Sequence, residues 1–333
     1  MRILVIGAGA IGGIIGGHLA RLGENVLLVD RSREHVRAMQ RDGLLIDGPP
    51  GKYRIPVKAA TPEELAGEFD MALLSVKAQH TADALELIPP HLAAPGFAVS
   101  MQNGLATKGI MAERIGADRT IGAMVRVGGT VAGPGHVTHL TDGFLVVGEL
   151  DGRMTERLER LRQLLEKVAP TMATDNLFGW LWAKQTYLCL LNMTSLIGRT
   201  LNELLAMPGG KELGTRAMRE CAMVARAEGV RLETFDFLNP NALLGDGPVE
   251  RAQTEQNLAT IGRRFGNTMG DTYRDIAVRH VPSEVPFLSG EVVRRGKRLG
   301  VPTPVLEKLV NMIAAIERGE LTMSPDNLRG LPT

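Results

Sequence analysis

Several polar side chains stand out in this sequence because apolar residues surround or precede them. Lys184 sits inside LFGWLWAKQTYLCLLNMTSLIG, a segment with helical periodicity and few other charges. A lysine partly removed from water has a lowered pKa and becomes a proton donor near neutral pH. The plain alternative is a lysine that snorkels out of a core helix. Asn192 follows eight residues later, just over two turns along, and is expected on the same face. Lys77 follows the apolar run MALLSV, and Asn103 follows FAVSMQ. In an open α/β sheet, ligands lie outside the carboxyl ends of such strands. Glu284, in RHVPSEVPFLSG, stands near an expected helix start. It offers a carboxylate to a substrate hydroxyl or a catalytic cation, or is simply a charge at a helix N-terminus.

The stretch Gly7, Ala8, Gly9, Ala10, Ile11 and Gly12 reads G-x-G-x-x-G, directly after the buried run ILVIG and before a helix. The first glycine permits a tight turn, the second lets the backbone approach a pyrophosphate, and the third lets helix and strand pack closely. The helix N-terminus adds free N–H groups and a partial positive charge. A dinucleotide site is expected there. Asp30, 18 residues after Gly12, would hydrogen-bond the ribose hydroxyls of NAD, whereas Arg31 would favour the 2′-phosphate of NADP. The two neighbours point opposite ways.

These residues need elements to hold them. ILVIG, ENVLLVD, FDMALLSVKA and FAVSMQNG are short, apolar strands, separated by helical stretches at 10–22 and 32–43. Ser32 is the expected N-cap and Gly43 the stop of the second helix. LLIDG and KYRIPVKAAT look like a strand pair, and Thr61-Pro62-Glu63-Glu64 starts a helix with a capping box. Such alternation predicts a doubly wound, mostly parallel Rossmann sheet. AMVRVGGT, HVTHL and FLVVGE are expected to finish that sheet, with a hairpin turn at Thr141-Asp142-Gly143. Beyond about 152 the pattern is helical, with segments at 250–270 and 283–300 and a closing VLEKLVNMIAAIERGE. The expected division is therefore an α/β dinucleotide-binding domain over 1–150 and an all-α domain over 151–333, with a mobile tail after 320.

The 333 residues suffice for two domains. Apolar residues at 44% and charged residues at 23% are ordinary for a folded soluble chain. The formal charge of +1 excludes an electrostatic nucleic-acid or membrane footprint. No signal peptide and no membrane span are read, so a cytoplasmic protein is expected. Cys189 and Cys221 read as buried thiols, and the methionines as core filler. His136 and His139, spaced i, i+3 in β-rich sequence, would face opposite sides, and no metal is expected.

Together, GAGAIGG, LLSVKA, MQNG, the PGHVTH segment at 134–139, WAKQTYLCLLNMTSL and SEV resemble the ketopantoate reductase (2-dehydropantoate 2-reductase) family, from residue 1 to about 315. The resemblance implies reduction of the C2 ketone of 2-dehydropantoate by NADPH to (R)-pantoate, a step towards pantothenate, in a cleft between the two domains. It makes Lys184 the proton donor and Glu284 the contact to substrate hydroxyl or cofactor. Asn103 closes the nicotinamide end, while Lys77 and Arg31 hold the cofactor. Asn192 and Asn202 bind substrate, and Thr268 stands for the family's carboxylate-binding serine. NADP(H) is the expected cofactor, with NAD(H) the alternative because of Asp30; a small 2-oxo acid is the partner, and a homodimer through the helical domain is plausible. The chain departs from the family at Leu188, where an asparagine is usual, at Pro286, where an aspartate is usual, and by extra residues between Thr268 and Glu284. A related 2-oxo, 3-hydroxy acid or opine-type dehydrogenase, or a non-catalytic dinucleotide sensor, are the alternatives.

Overall fold

Residues 3–6 of ILVIG lie in an inner strand of an eight-stranded sheet and are buried, as a strand covered on both faces must be. The computed structural model describes residues 1–49 and 51–332. It contains two compact units, Met1–Leu177 and Phe178–Thr333.

The first unit runs β1 (Arg2–Ile6), α1 (Ala10–Arg21), β2 (Asn25–Val29), α2 (Arg33–Asp42), β3 (Leu44–Asp47), β4 (Tyr53–Ile55) and β5 (Lys58–Ala60). It continues with β6 (Phe69–Leu74), α3 (Thr81–Leu85), β7 (Leu92–Ser100), α4 (Ala106–Ile115), β8 (Thr120–Val125), β9 (Gly128–Gly133) and β10 (His136–Thr141). β11 (Leu145–Glu149), α5 (Glu156–Glu166) and β12 (Thr171–Ala173) complete it. The main sheet has the order β12-β11-β8-β7-β6-β1-β2-β5, parallel from β8 to β5, with β11 antiparallel to β8. This is the doubly wound Rossmann arrangement, and the winding reverses between β1 and β6.

A second sheet, β4-β3-β10-β9, lies on the other side of α1. The glycines of AIGGIIGGHLAR explain how one helix fits between two sheets. A Cβ on Gly16 would press on Leu28 and Val5 of the main sheet, and one on Gly17 on Leu44 and Ile46 of the smaller sheet. A Cβ on Gly13 would meet Val137 of β10.

Several expectations change here. KYRIPVKAAT is cut at Pro56: β4 pairs with β3, while β5 joins β2 in the main sheet. A proline cannot donate to a ladder, so the break falls there. The 120–150 stretch divides between the sheets instead of ending one of them. The hairpin turn is at Gly133–Gly135, joining β9 to β10, and Thr141-Asp142-Gly143 carries the chain across to β11. Thr61 keeps its capping box but starts only one 3₁₀ turn, Pro62–Glu64. The first compact unit runs on to Leu177, because β12 pairs with β11 and α5 packs beside both.

The second unit is helical: α6 (Leu177–Ile197, whose first residue belongs to the other unit), α7 (Leu201–Ala206), α8 (Gly210–Ala227), α9 (Pro248–Phe265), α10 (Asp271–Tyr273), α11 (Ser289–Leu299) and α12 (Pro304–Glu317). Glu220 of α8 is buried and accepts the Val305 and Leu306 N–H groups at 2.9 Å, capping α12. Cys189 and Cys221 are buried free thiols. Over residues 321–332 the tail, expected to be mobile, is packed: Asn327 donates to Leu196 O at 2.9 Å and Leu331 is buried. Among the described residues no helix is long and apolar enough to cross a membrane.

Candidate active site

Each glycine of the G-x-G-x-x-G turn has its own reason. Gly7 has φ +93°, and a Cβ there would stand 2.8 Å from Val76 N. A Cβ on Gly12 would collide with the Gly7 carbonyl oxygen. At Gly9 the nearest atom to such a Cβ is Val131 Cγ2, at 4.0 Å. Protein packing demands the first and third glycines; the second leaves space that packing does not need, as a backbone approach to a ligand requires. Gly9 lines a cavity of about 350 Å³ with Asp30, Ser32, His35 and the β9–β10 tip, Val131 to Pro134. A dinucleotide's adenosine end fits such a cradle, with Ala8, Ala10 and Ile11 supplying the turn and first helical residues beside it.

Ser32 caps α2 by accepting the His35 N–H, and its own N–H donates to Asp30 Oδ1 at 2.9 Å. Arg31 is exposed. His80 has its pKa lowered by burial first and by Arg31 next, Lys77 adding a smaller push and Asp83 opposing. Arg31 and Lys77, distant in sequence, therefore share one neighbourhood. A cation pair there suits phosphate oxygens.

His35 was not singled out from the sequence. The residue is buried. Gly135 N–H donates to its Nδ1 at 2.9 Å, so Nδ1 carries no proton, and Nε2–H donates to Ala8 O at 3.0 Å. One neutral imidazole thus ties the glycine turn to the β9–β10 hairpin.

Lys77 and Asn103 follow β6 and β7, at the carboxyl edge of the sheet beside the reversal point. Both are half-buried.

In the second unit α6 is buried on most sides. Lys184, Tyr187, Leu188 and Leu191 form its half-buried stripe. Tyr187 packs with Phe235, Phe237 and Phe265, ring centroids 5.4–6.4 Å away. Asn192 is not on that stripe. Eight residues at 3.6 per turn leave about 80° between two side chains, and Asn192 turns into the core at 3% exposure. Its Nδ2 donates to Ser289 Oγ at 2.9 Å and its Oδ1 accepts Thr272 Oγ1 at 3.0 Å. Asn192, the expected substrate contact, joins α6, α10 and α11 through these two bonds.

Asn202 and Thr268 are brought together. Thr268 O accepts the Leu201 N–H at 3.2 Å, and the Asn202 N–H donates to Gly266 O at 2.8 Å. Before Glu284 the chain makes a π-helical turn, Arg274–Val278, where Arg279 N–H donates to Arg274 O at 2.9 Å. Glu284 is half-buried and precedes a single 3₁₀ turn, Val285–Phe287, instead of opening α11.

A profile described as Ketopantoate reductase PanE/ApbA matches residues 3–152, and one described as Ketopantoate reductase PanE/ApbA C terminal matches residues 176–317. The chain belongs to the ketopantoate reductase family. A 2-dehydropantoate 2-reductase of Mesorhizobium japonicum is 27% identical over 96% of this chain and 99% of its own length. The crystal structure of a PanE/ApbA family ketopantoate reductase from Ralstonia eutropha JMP134 is 28% identical, covers 96% of this chain and 99% of its own, and has a TM-score of 0.84. The ternary structure of D-mandelate dehydrogenase with NADH and anilino(oxo)acetate shares the fold at TM-score 0.83 and 20% identity, covering 96% of this chain and 99% of its own. The chain is thus an oxidoreductase of the ketopantoate reductase family, a family acting on CH–OH groups with a nicotinamide dinucleotide. The family profiles stop at 152 and resume at 176, so α5 and β12 lie between them.

Proposed function

We propose that this enzyme reduces a 2-oxo acid, 2-dehydropantoate, to (R)-pantoate with NADPH. The observation that carries the reading is Lys184, the one charged side chain of α6, on that helix's half-buried stripe; the family resemblance makes it the proton donor. When bound, NADPH supplies the hydride. Lys184 stabilises the negative charge that builds on the ketone oxygen and delivers the proton to it. Glu284 accepts a hydrogen bond from a substrate hydroxyl or the cofactor, and Asn103 orients the nicotinamide end. Asn202 and Thr268 hold the substrate's polar groups, while Gly7 to Gly12, Lys77 and Arg31 hold the dinucleotide. The pairing of Arg31 with Lys77 around His80 supports NADPH over NADH. A homodimer, through the apolar helical unit, and a cytoplasmic location belong to the same reading.

A second reading is a 2-oxo acid with a more apolar side chain. Leu188, one turn after Lys184, replaces an asparagine, and Tyr187 with Phe237 and Phe265 adds aromatic surface next to it. Steady-state turnover of 2-dehydropantoate, 2-oxoisovalerate and pyruvate with NADPH separates the two. Preference for 2-oxoisovalerate would replace the first reading by the second. Lys184→Ala is expected to cut kcat by about 100-fold or more, the usual scale of a lost general acid, with NADPH binding nearly unchanged. Full activity in that variant would remove Lys184 from the mechanism.

A further inference from the structure

Burying an ammonium is costly unless each donor is met, so a fully buried lysine needs an explanation. Lys108, in the first turn of α4, is 0% exposed. Its Nζ donates to Gln102 O and, at 3.2 Å, to Gly104 O, the main-chain carbonyls on either side of Asn103. Its stem lies against β8, where a Cβ on Gly122 would come 3.1 Å from Lys108 Cγ.

The side chain of Gln102 reaches the other way. Its Nε2 donates to Val76 O at 3.0 Å and to Thr81 Oγ1 at 2.7 Å, and its Oε1 accepts Ser100 Oγ at 3.3 Å. Thr81 Oγ1 in turn donates to Ala78 O at 2.7 Å. Val76 and Ala78 flank Lys77. The two loops that carry Lys77 and Asn103 are therefore one buried hydrogen-bonded body, with the Lys108 ammonium beneath it. An apolar side chain would fill the same volume but leave two carbonyls without this donor.

We infer that Lys108 is a positioning residue for the reaction: by gripping the carbonyls on both sides of Asn103, it fixes where that carboxamide meets the nicotinamide end. The inference rests on the role given to Asn103 above. Lys108→Met keeps the stem and removes the donors. Its kcat with 2-dehydropantoate and NADPH is expected to fall about 100-fold, the scale of an ångström-sized misplacement. Binding of 2′-phospho-ADP-ribose, which lacks the nicotinamide, stays near wild type. Asn103→Ala falls similarly, and the double variant falls no further than the lower single variant, because both changes remove one interaction. Lys108→Gln, which keeps a donor on a shorter chain, recovers part of the loss and closes the same cycle should the methionine variant not fold. Losses that multiply in the double variant, or a lowered Tm with kcat intact, overturn the inference. The cycle is also read from the fluorescence change of NADPH on binding, which needs no substrate. A protein that follows the cycle there but does not turn over 2-dehydropantoate defeats only the substrate reading.

Discussion

Asp30 and Arg31 are adjacent and favour different cofactors, and their surroundings separate them. Asp30 has one oxygen taken by the Ser32 N–H and lines the cavity beside Gly9; Arg31 sits with Lys77 around His80. Arg31→Ala is expected to weaken NADPH binding by about 10-fold or more, since hydrogen bonds to charged groups are worth about 1.5–3 kcal/mol, and to leave NADH binding nearly untouched. Asp30→Ala removes a negative charge near the 2′-phosphate position and is expected to tighten NADPH binding. Fluorescence titration of both cofactors checks this, and an equal loss of NADPH and NADH affinity in Arg31→Ala would count against it. At this scale the sequence was legible at the glycine turn, whose strand-to-helix motif leaves its own signal, and in placing Lys77 and Asn103 just after apolar strands. It was not legible at His35 and Lys108, which look like solvated helix charges until burial shows what they bond. Asn192 was expected on the face of Lys184 and lies about 80° from it, because eight residues are close to, but not, a whole number of turns.

At the scale of elements, strands buried on both faces and capped helices were readable because their signals are local. Ser32 and Gly43 bound α2 as expected. Which sheet a strand joins is a non-local choice, so the division of 44–60 and 120–149 between two sheets was not readable. Helix α1 joins the levels. In Gly12→Ala the new Cβ meets a main-chain oxygen that cannot turn away. We expect loss of dinucleotide binding and a destabilisation of about 1–3 kcal/mol, typical of overpacking. In Gly17→Ala the Cβ meets only the methyl ends of Leu44 and Ile46, at 2.8 Å. Those ends can rotate, and alanine improves helix propensity by about 1 kcal/mol, so stability is expected to change little. Urea unfolding and cofactor titration of both variants provide the comparison; equal damage would show that the smaller sheet cannot yield.

At the scale of the whole chain, the two-part organisation was legible, since strands give way to helices once along the sequence. The short edge strand β12, which pairs with β11, was not, because its three residues look like a loop. Stability should also depend on pH through a buried histidine of the first unit. His18 of α1 packs edge-on to Tyr53 and faces Arg21 and His139. Burial, with help from these cations, lowers its pKa from 6.5 to about 4. A group with a depressed basic pKa binds fewer protons folded than unfolded, so its contribution is complete above pH 6.5 and declines towards pH 4. The difference corresponds to about 3 kcal/mol. Unfolding measured between these limits should show the decline in the wild type and a weaker one in His18→Gln. Identical slopes would exclude His18 as the cause.

The glycines of α1 carry one more consequence. Four of its twelve residues, Gly12, Gly13, Gly16 and Gly17, are glycine, and each is about 1 kcal/mol less favourable than alanine in a helix. Alone, this segment has little tendency to be helical. Its partners are β1 and β2 on one side, and on the other β3 and β10, the last ending at Thr141. During synthesis the glycine turn emerges before β3 and β10, yet the helix that completes it must wait for more than a hundred further residues. A segment made before most of its domain is therefore among the last parts of that domain able to hold a ligand.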